Sequence, residues 1–142
     1  MKKILMLNIL FVFVSVYSLN IFAQKQIDEN AERYIEINKL EDFFITSNEY
    51  PNEIICNFEL HNILEGESSK PAFVAVNELS NVTKFSIKAR SEKYENQRSC
   101  YLRMQNQNYF STFGLVLNKL EIKHIWFEGN YITTEEFLKK IL

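Results

Sequence analysis

Glycine and proline are scarce, at three and two residues in 142. So few glycines leave no Gly-rich loop to cradle a phosphate, and no Pro- or Gly-rich linker, internal repeat or low-complexity tract divides the chain. Loops must be short or built from Asn, Ser and Glu. The two cysteines, Cys56 and Cys100, form no Cys-x-x-Cys, so neither a redox-active pair at a helix start nor a local zinc-ligand pair is available. No Gly-x-Ser-x-Gly elbow accompanies the two histidines, His61 and His124, which removes the commonest frame for a nucleophile with its base. An excess of positive charge is missing too: 16 Lys and Arg face 18 Asp and Glu. Nucleic acid and anionic membrane surfaces are therefore poor partners.

What is present begins with an export signal. Lys2 and Lys3 precede an uncharged stretch from Ile4 to Ala23 with the apolar run Ile9 to Val14 at its centre, and Ile21-Phe22-Ala23 offers the residues a signal peptidase reads. Residues 1–23 are thus expected to be a cleavable signal peptide, with Gln24 as the new N-terminus and a secreted or periplasmic destination. The competing reading is an uncleaved anchor, since about 20 apolar residues can span a bilayer. Asn8, Ser15, Ser18 and Asn20 dilute the stretch, no basic cluster stops it, and no Cys follows it for lipidation. No stable membrane insertion is expected after cleavage. Without the two signal lysines, 14 basic side chains remain against 18 acidic ones. Residues 24–142 have the size of a single domain, and twelve Phe, seven Tyr and one Trp supply large side chains for its core.

Periodicity then gives the architecture. Cys56, Phe58 and Leu60 alternate with Asn57, Glu59 and His61, the pattern of a half-buried strand from about Glu53 to His61. Asn62 to Ser68 reads as a polar loop. Ser69 caps a helix with Pro71 in its first turn and Ala72, Val76 and Leu79 on one face, although Phe73 to Val76 also suits a strand. Val82 to Arg90 alternates Phe85, Ile87 and Ala89 against Lys84, Ser86, Lys88 and Arg90, and Ser91 to Gln97 has the composition of a hairpin connection. Gln97 to Gln105 sets Cys100, Leu102 and Met104 against Tyr101, Arg103 and Gln105. Asn108 is placed to cap a helix carrying Phe110, Phe113, Leu117 and Leu120 on one face. Gly114 inside that helix suggests a close approach to a neighbouring strand.

Ile122 to Glu128 is the last strong strand, and Gly129-Asn130 signals a two-residue hairpin. Thr133 with Glu136 has capping-box spacing and Ile132 with Phe137 has staple spacing, so both fix the start of a terminal helix. Its Phe137, Leu138, Ile141 and Leu142 can close one edge of the core.

Residues 53–128 therefore spell strand, helix, strand, strand, helix, strand. This order predicts an α+β fold of ferredoxin-like βαββαβ type, with an antiparallel sheet, both helices on one face, and the first and third strands central and adjacent. Residues 129–142 add the hairpin turn and terminal helix. The extension 24–51 is ambiguous: Tyr34, Ile35, Ile37, Leu40, Phe43, Phe44 and Ile45 fit one amphipathic helix, or a short strand at Tyr34 to Ile37 followed by a helical turn. It can add to the core or cover the open face of the sheet.

Candidate functional residues follow from this layout. Cys56 and Cys100 fall on the core parity of neighbouring strands in an oxidising compartment, which favours a disulfide; two buried thiols acting as small apolar side chains are the competing reading. Cys56, His61, Cys100, Met104 and His124 include soft metal-ligand types, but no local pair has zinc spacing and His61 faces away from Cys56. No metal or other cofactor is expected. The carboxylate pairs Glu41-Asp42 and Glu135-Glu136 sit at helix starts, where the dipole alone favours them. Asn81-Val82-Thr83 matches a glycosylation sequon but begins a strand. No enzymatic activity is expected.

The other sheet face displays His61, Tyr101, Arg103, His124 and Trp126, residue types that anchor protein interfaces. The alternative is that the extension covers Trp126 and Tyr101 and the charges form a solvated face. The reading is a non-enzymatic exported module that binds a protein partner in the cell envelope; a metal- or redox-linked envelope protein using Cys56 and Cys100 is the alternative.

Overall fold

A computed structural model describes residues 32–63, 71–88 and 96–141. The signal peptide at 1–23, the Ser69 cap, Ala89 and Arg90, most of the 91–97 connection and Leu142 lie outside the described residues. The chain is mixed α+β, with seven strands in one sheet and four α-helices among the described residues. None of these helices is long and apolar enough to cross a membrane.

In chain order the elements are β1 (Tyr34–Ile37), α1 (Leu40–Phe43), β2 (Ile45–Thr46), β3 (Glu53–His61), α2 (Pro71–Val74, continued by a 3-10 turn Ala75–Glu78), β4 (Val82–Ile87), β5 (Gln97–Gln105), α3 (Tyr109–Lys119), β6 (His124–Phe127), β7 (Asn130–Thr133) and α4 (Thr134–Ile141). The sheet runs β4-β5-β3-β1-β6-β7, and β2 pairs with β3. β3 and β5 are adjacent and antiparallel along nine residue pairs. The ferredoxin-like order is not found. That order would seat β6 directly against β3, whereas β1 occupies this place, antiparallel to β3 and parallel to β6. The physical reason lies in Tyr34 to Ile37: its alternation buries Ile35 and Ile37 completely while Glu36 stays exposed, and two neighbouring strands satisfy its backbone.

The helices cover the sheet face that carries Cys56, Phe58, Leu60, Leu102 and Met104, all buried. Phe113 on α3 is fully buried between Phe43, Phe44 and Phe58, with ring centroids 5.3 to 6.5 Å apart. Phe43 and Phe44 reach it from α1 and its C-cap, so this part of the extension adds to the core. Phe137 on α4 packs edge-on to Phe127 at 5.2 Å. Full burial of one such ring stabilises by about 3 kcal/mol, so this aromatic layer is a large part of what closes the core.

Local signals account for most boundaries and correct others. The capping box forms: the Thr133 N–H donates to Glu136 Oε2 at 2.9 Å and the Glu136 N–H donates to Thr133 Oγ1 at 3.2 Å. Asn108 does not cap α3 through its side chain; it sits in the left-handed region at φ 57°, and its carbonyl accepts from Thr112. Gly114 approaches Leu138 of α4, not a strand: a Cβ there would lie 3.3 Å from Leu138 Cδ2. The β6–β7 turn is centred one residue earlier than expected, on Glu128 (φ 48°) and Gly129 (φ 80°), which is the paired positive φ of a type I′ hairpin. A register shift between Val82 and Lys84 explains how Val82 and Phe85, three apart, are both buried on one face.

The outer edge of β4 is blocked. Asn77 Oδ1 accepts from the Phe85 N–H at 2.7 Å and its Nδ2 donates to the Phe85 carbonyl at 3.1 Å, so one side-chain amide replaces a neighbouring strand. Such a guard on an edge strand discourages pairing with another chain.

Candidate functional site

Because side chains alternate, the residues between the core positions all stand on the second face of the sheet. The five sequence-predicted residues His61, Tyr101, Arg103, His124 and Trp126 share this face, as the pairings Asn57 with Tyr101, His61 with Gln97, Tyr34 with His61 and Tyr34 with His124 require. They do not form one site. Arg103 is level with Ile55 and His61 is level with Gln97, a separation of about 20 Å at the rise of a strand.

His61, His124 and Trp126 gather around two tyrosines that sequence reasoning did not single out. The ring of Tyr34 stacks on His61 at 4.4 Å with 7° between planes. Tyr131 stacks on His124 at 4.7 Å and meets Tyr34 edge-on at 5.7 Å, and Trp126 lies 6.2 Å from Tyr131. Carboxylates flank the row: Glu32 Oε2 is 2.8 Å from His124 Nδ1 and Glu36 Oε1 is 3.6 Å from His61 Nε2. The Glu32 contact is a close approach without hydrogen-bond alignment. Burial first, then the charge of Glu36, raises the Tyr34 hydroxyl above its ordinary value; burial, then Glu32, does the same for Tyr131. Both phenols therefore stay protonated across the neutral range. Trp126 is 40 % exposed and Tyr131 is 49 % exposed. The signal for Tyr34 was the alternation of Tyr34-Ile35-Glu36-Ile37, and for Tyr131 its place directly across a hairpin from Trp126.

Arg103 is committed elsewhere. Its Nε is 2.6 Å from Glu53 Oε2 and donates to Thr83 Oγ1 at 3.3 Å, while the guanidinium lies 3.8 Å from the Tyr50 ring. It ties the β2–β3 connection and β4 to β5, a fastening that leaves little of it for a partner. Tyr101 borders a separate feature, a depression of about 640 Å³ in the same face, between the β4 and β1 sides of the sheet.

Cys56 and Cys100 are on the core face of adjacent strands, as their parity required, but they are free thiols and form no disulfide. Register is the reason. Cys56 pairs with Leu102 and Cys100 pairs with Phe58, so the cysteines are diagonal neighbours, about 7 to 8 Å apart on such a ladder, too far for a bridge that needs Cβ atoms about 4 Å apart. Desolvation drives the Cys56 thiol far up, and desolvation followed by the charge of Glu59 pushes Cys100 to about 12. Buried, protonated sulfur lacks the thiolate that redox exchange and metal binding use. Met104 is buried beside them on that face, and among the described residues no group of three or more His, Cys, Asp or Glu side chains is placed to hold a metal ion.

The open face presents phenol rings, one exposed indole, and carboxylates and ammonium groups set on different strands. Comparison of the chain with protein-family models, with curated proteins and with solved structures finds no match to any of them.

Proposed function

We propose that this chain is an exported, non-enzymatic interaction module of the cell envelope, and that it holds a protein partner through the β1–β6–β7 half of its open sheet face. One observation carries the reading: Trp126 and Tyr131, directly opposite each other on β6 and β7, are 40 % and 49 % exposed on a face that no helix among the described residues covers. Large, rigid rings that stay in water without a lid are the groups that dominate protein interfaces, where burying them on association contributes most of the free energy. The stacking pattern favours a protein over a sugar. Tyr34 against His61 and Tyr131 against His124 hide ring faces within the row, so fewer open ring faces remain for a sugar to stack on.

Site-specific photo-cross-linking in the cells that make the protein tests this. A photoreactive phenylalanine at position 126 or 131 is expected to trap a discrete protein adduct. The same group at Leu115, 56 % exposed on α3 behind the sheet, is expected to trap none. Equal labelling from all three positions, or none from 126 and 131, removes the reading. The same purified material reports export, because the expected mature chain begins at Gln24.

A further inference from the structure

We infer that the depression beside the aromatic row is a binding site for a short peptide with free termini, lying across the strands with its ammonium group over Glu36 and Glu59 and its carboxylate at Lys84 and Lys88. This deepens the reading of the open face as a binding surface and rests on it.

Register builds the site. The Lys88 N–H donates to the Ser99 carbonyl, Ser99 pairs with Glu59, and continuing the Tyr34–His61 register sets Glu36 level with Glu59, with Trp126 next in the row. Read from β4 to β6, a single rank across the sheet is therefore lysine, serine, glutamate, glutamate, tryptophan. Lys84 and Lys88 are exposed and neither has an ion pair among the described residues; Lys84 approaches only the Tyr101 ring, at 5.8 Å. On the opposite side two carboxylates stand on neighbouring strands. Ser99 Oγ donates to Glu59 Oε1 at 2.6 Å and His61 lies 3.6 Å from Glu36, so each oxygen pair is oriented from one side while room remains above.

Glu36, one residue beyond the last paired position of β1 and β3, lines the same depression as Glu59, and a bound cation offsets the repulsion between two such carboxylates. An ammonium group fits here for a second reason: the indole of Trp126 beside Glu36 supplies a ring for a cation to contact. The basic side is separated from Glu59 by β5 and from Glu36 by β5 and β3, so the strands bearing Lys88 and Glu36 lie three inter-strand steps apart, about 14 Å. An extended chain covers that span with about four residues. The floor between the walls, Asn57, Ser86, Ser99 and Tyr101, consists of amide and hydroxyl groups suited to a peptide backbone.

Titration of the ¹⁵N-labelled protein with tetra-alanine tests the inference. The expected result is shifts confined to the amides of Asn57, Ser86, Ser99 and Tyr101 and their neighbours. Binding should be weaker by about fivefold for the N-acetylated and for the C-amidated peptide, the factor of one modest ion pair. The double variant Lys84→Gln/Lys88→Gln should lose the preference for a free carboxylate and keep the preference for a free amine. Glu36→Gln should do the reverse. The substituted side chains are at the surface, and an unchanged amide spectrum elsewhere reports that the fold is kept. Absence of shifts with tetra-alanine, blocked peptides that bind as tightly as free tetra-alanine, or a concentration-dependent dimer that itself covers these amides would overturn the site. Failure here with cross-links from position 126 intact removes only the peptide site, whereas loss of the cross-links removes the reading beneath it.

Discussion

Along β3 the even-numbered residues Cys56, Phe58 and Leu60 are at most 5 % exposed, while Asn57, Glu59 and His61, between them, retain contact with water. The two faces of one sheet thus use different physics within a single strand. On the covered face, side chains are apolar or sulfur-bearing apart from the buried Arg98 opposite Leu60, and close packing against α1, α3 and α4 holds them. On the open face the rings and charges satisfy one another laterally, Tyr34 with His61, Glu59 with Ser99, Arg103 with Glu53. Half-buried lateral contacts of that kind contribute about 1 kcal/mol each, less than burial of a large apolar side chain. Most of the stability therefore comes from the covered face.

Adjacent residues on β5 give the largest test of that division. Leu102 is fully buried and Tyr101, the next position back, is half-buried on the open face. Leu102→Ala is expected to destabilise the fold by about 2 to 5 kcal/mol through lost burial and the cavity it leaves. Tyr101→Ala is expected to cost under about 1 kcal/mol, as a change outside the core. Urea unfolding of both variants checks this; similar midpoints for the two would dissolve the distinction between the faces.

Alkaline pH sharpens the comparison at the two thiols. Burial keeps both protonated, with Cys100 pushed up to about 12 and Cys56 raised further by desolvation, whereas in the unfolded chain a thiol ionises near pH 8.5. Below that value folded and unfolded chains carry the same thiol protons, and this contribution to stability is fully present. Above it the unfolded chain binds fewer protons than the native one, so stability falls as pH rises toward the folded-state values, by about 1.4 kcal/mol per thiol for each pH unit. Urea midpoints measured at pH 8, 9 and 10 should drop steadily. The Cys56→Ala/Cys100→Ala variant should show a much flatter dependence, and an unchanged slope would mean the thiols are not the buried groups responsible.

Much of this was legible because period-two patterns are local. The bounds of β3 and β5 follow from alternation alone, and the shared parity of Cys56 and Cys100 follows with them. What the strands pair with is not local. Tyr34 to Ile37 alternates like any strand, but nothing in those four residues states that it inserts between β3 and β6, and this insertion changes the sheet order. The disulfide failed for a related reason: parity assigns a face, whereas a bridge requires register, and a displacement of two residues preserves the first and destroys the second. For the candidate site, alternation placed His61, Tyr101, Arg103, His124 and Trp126 on one face correctly. It could not reveal that Arg103 is held by Glu53 and Tyr50, or that Tyr34 and Tyr131 complete the aromatic row, because those are contacts between distant segments.

The smallest effect is expected at the turn that holds Trp126 against Tyr131. Glu128 occupies a left-handed conformation at φ 48° ahead of Gly129, a position where Asn is strongly preferred in a type I′ hairpin and a carboxylate with a longer side chain is not. The Glu128 side chain is exposed, so replacing it relieves backbone strain without disturbing the core. Glu128→Asn should therefore stabilise the fold by about 0.5 kcal/mol, read as a small rise in melting temperature, while cross-linking from position 126 is unchanged. A loss of stability would show that the turn is not the type I′ hairpin described. A gain in stability accompanied by loss of the cross-link would show that presentation of the aromatic row depends on the turn being strained, so that the two faces of the sheet are coupled after all.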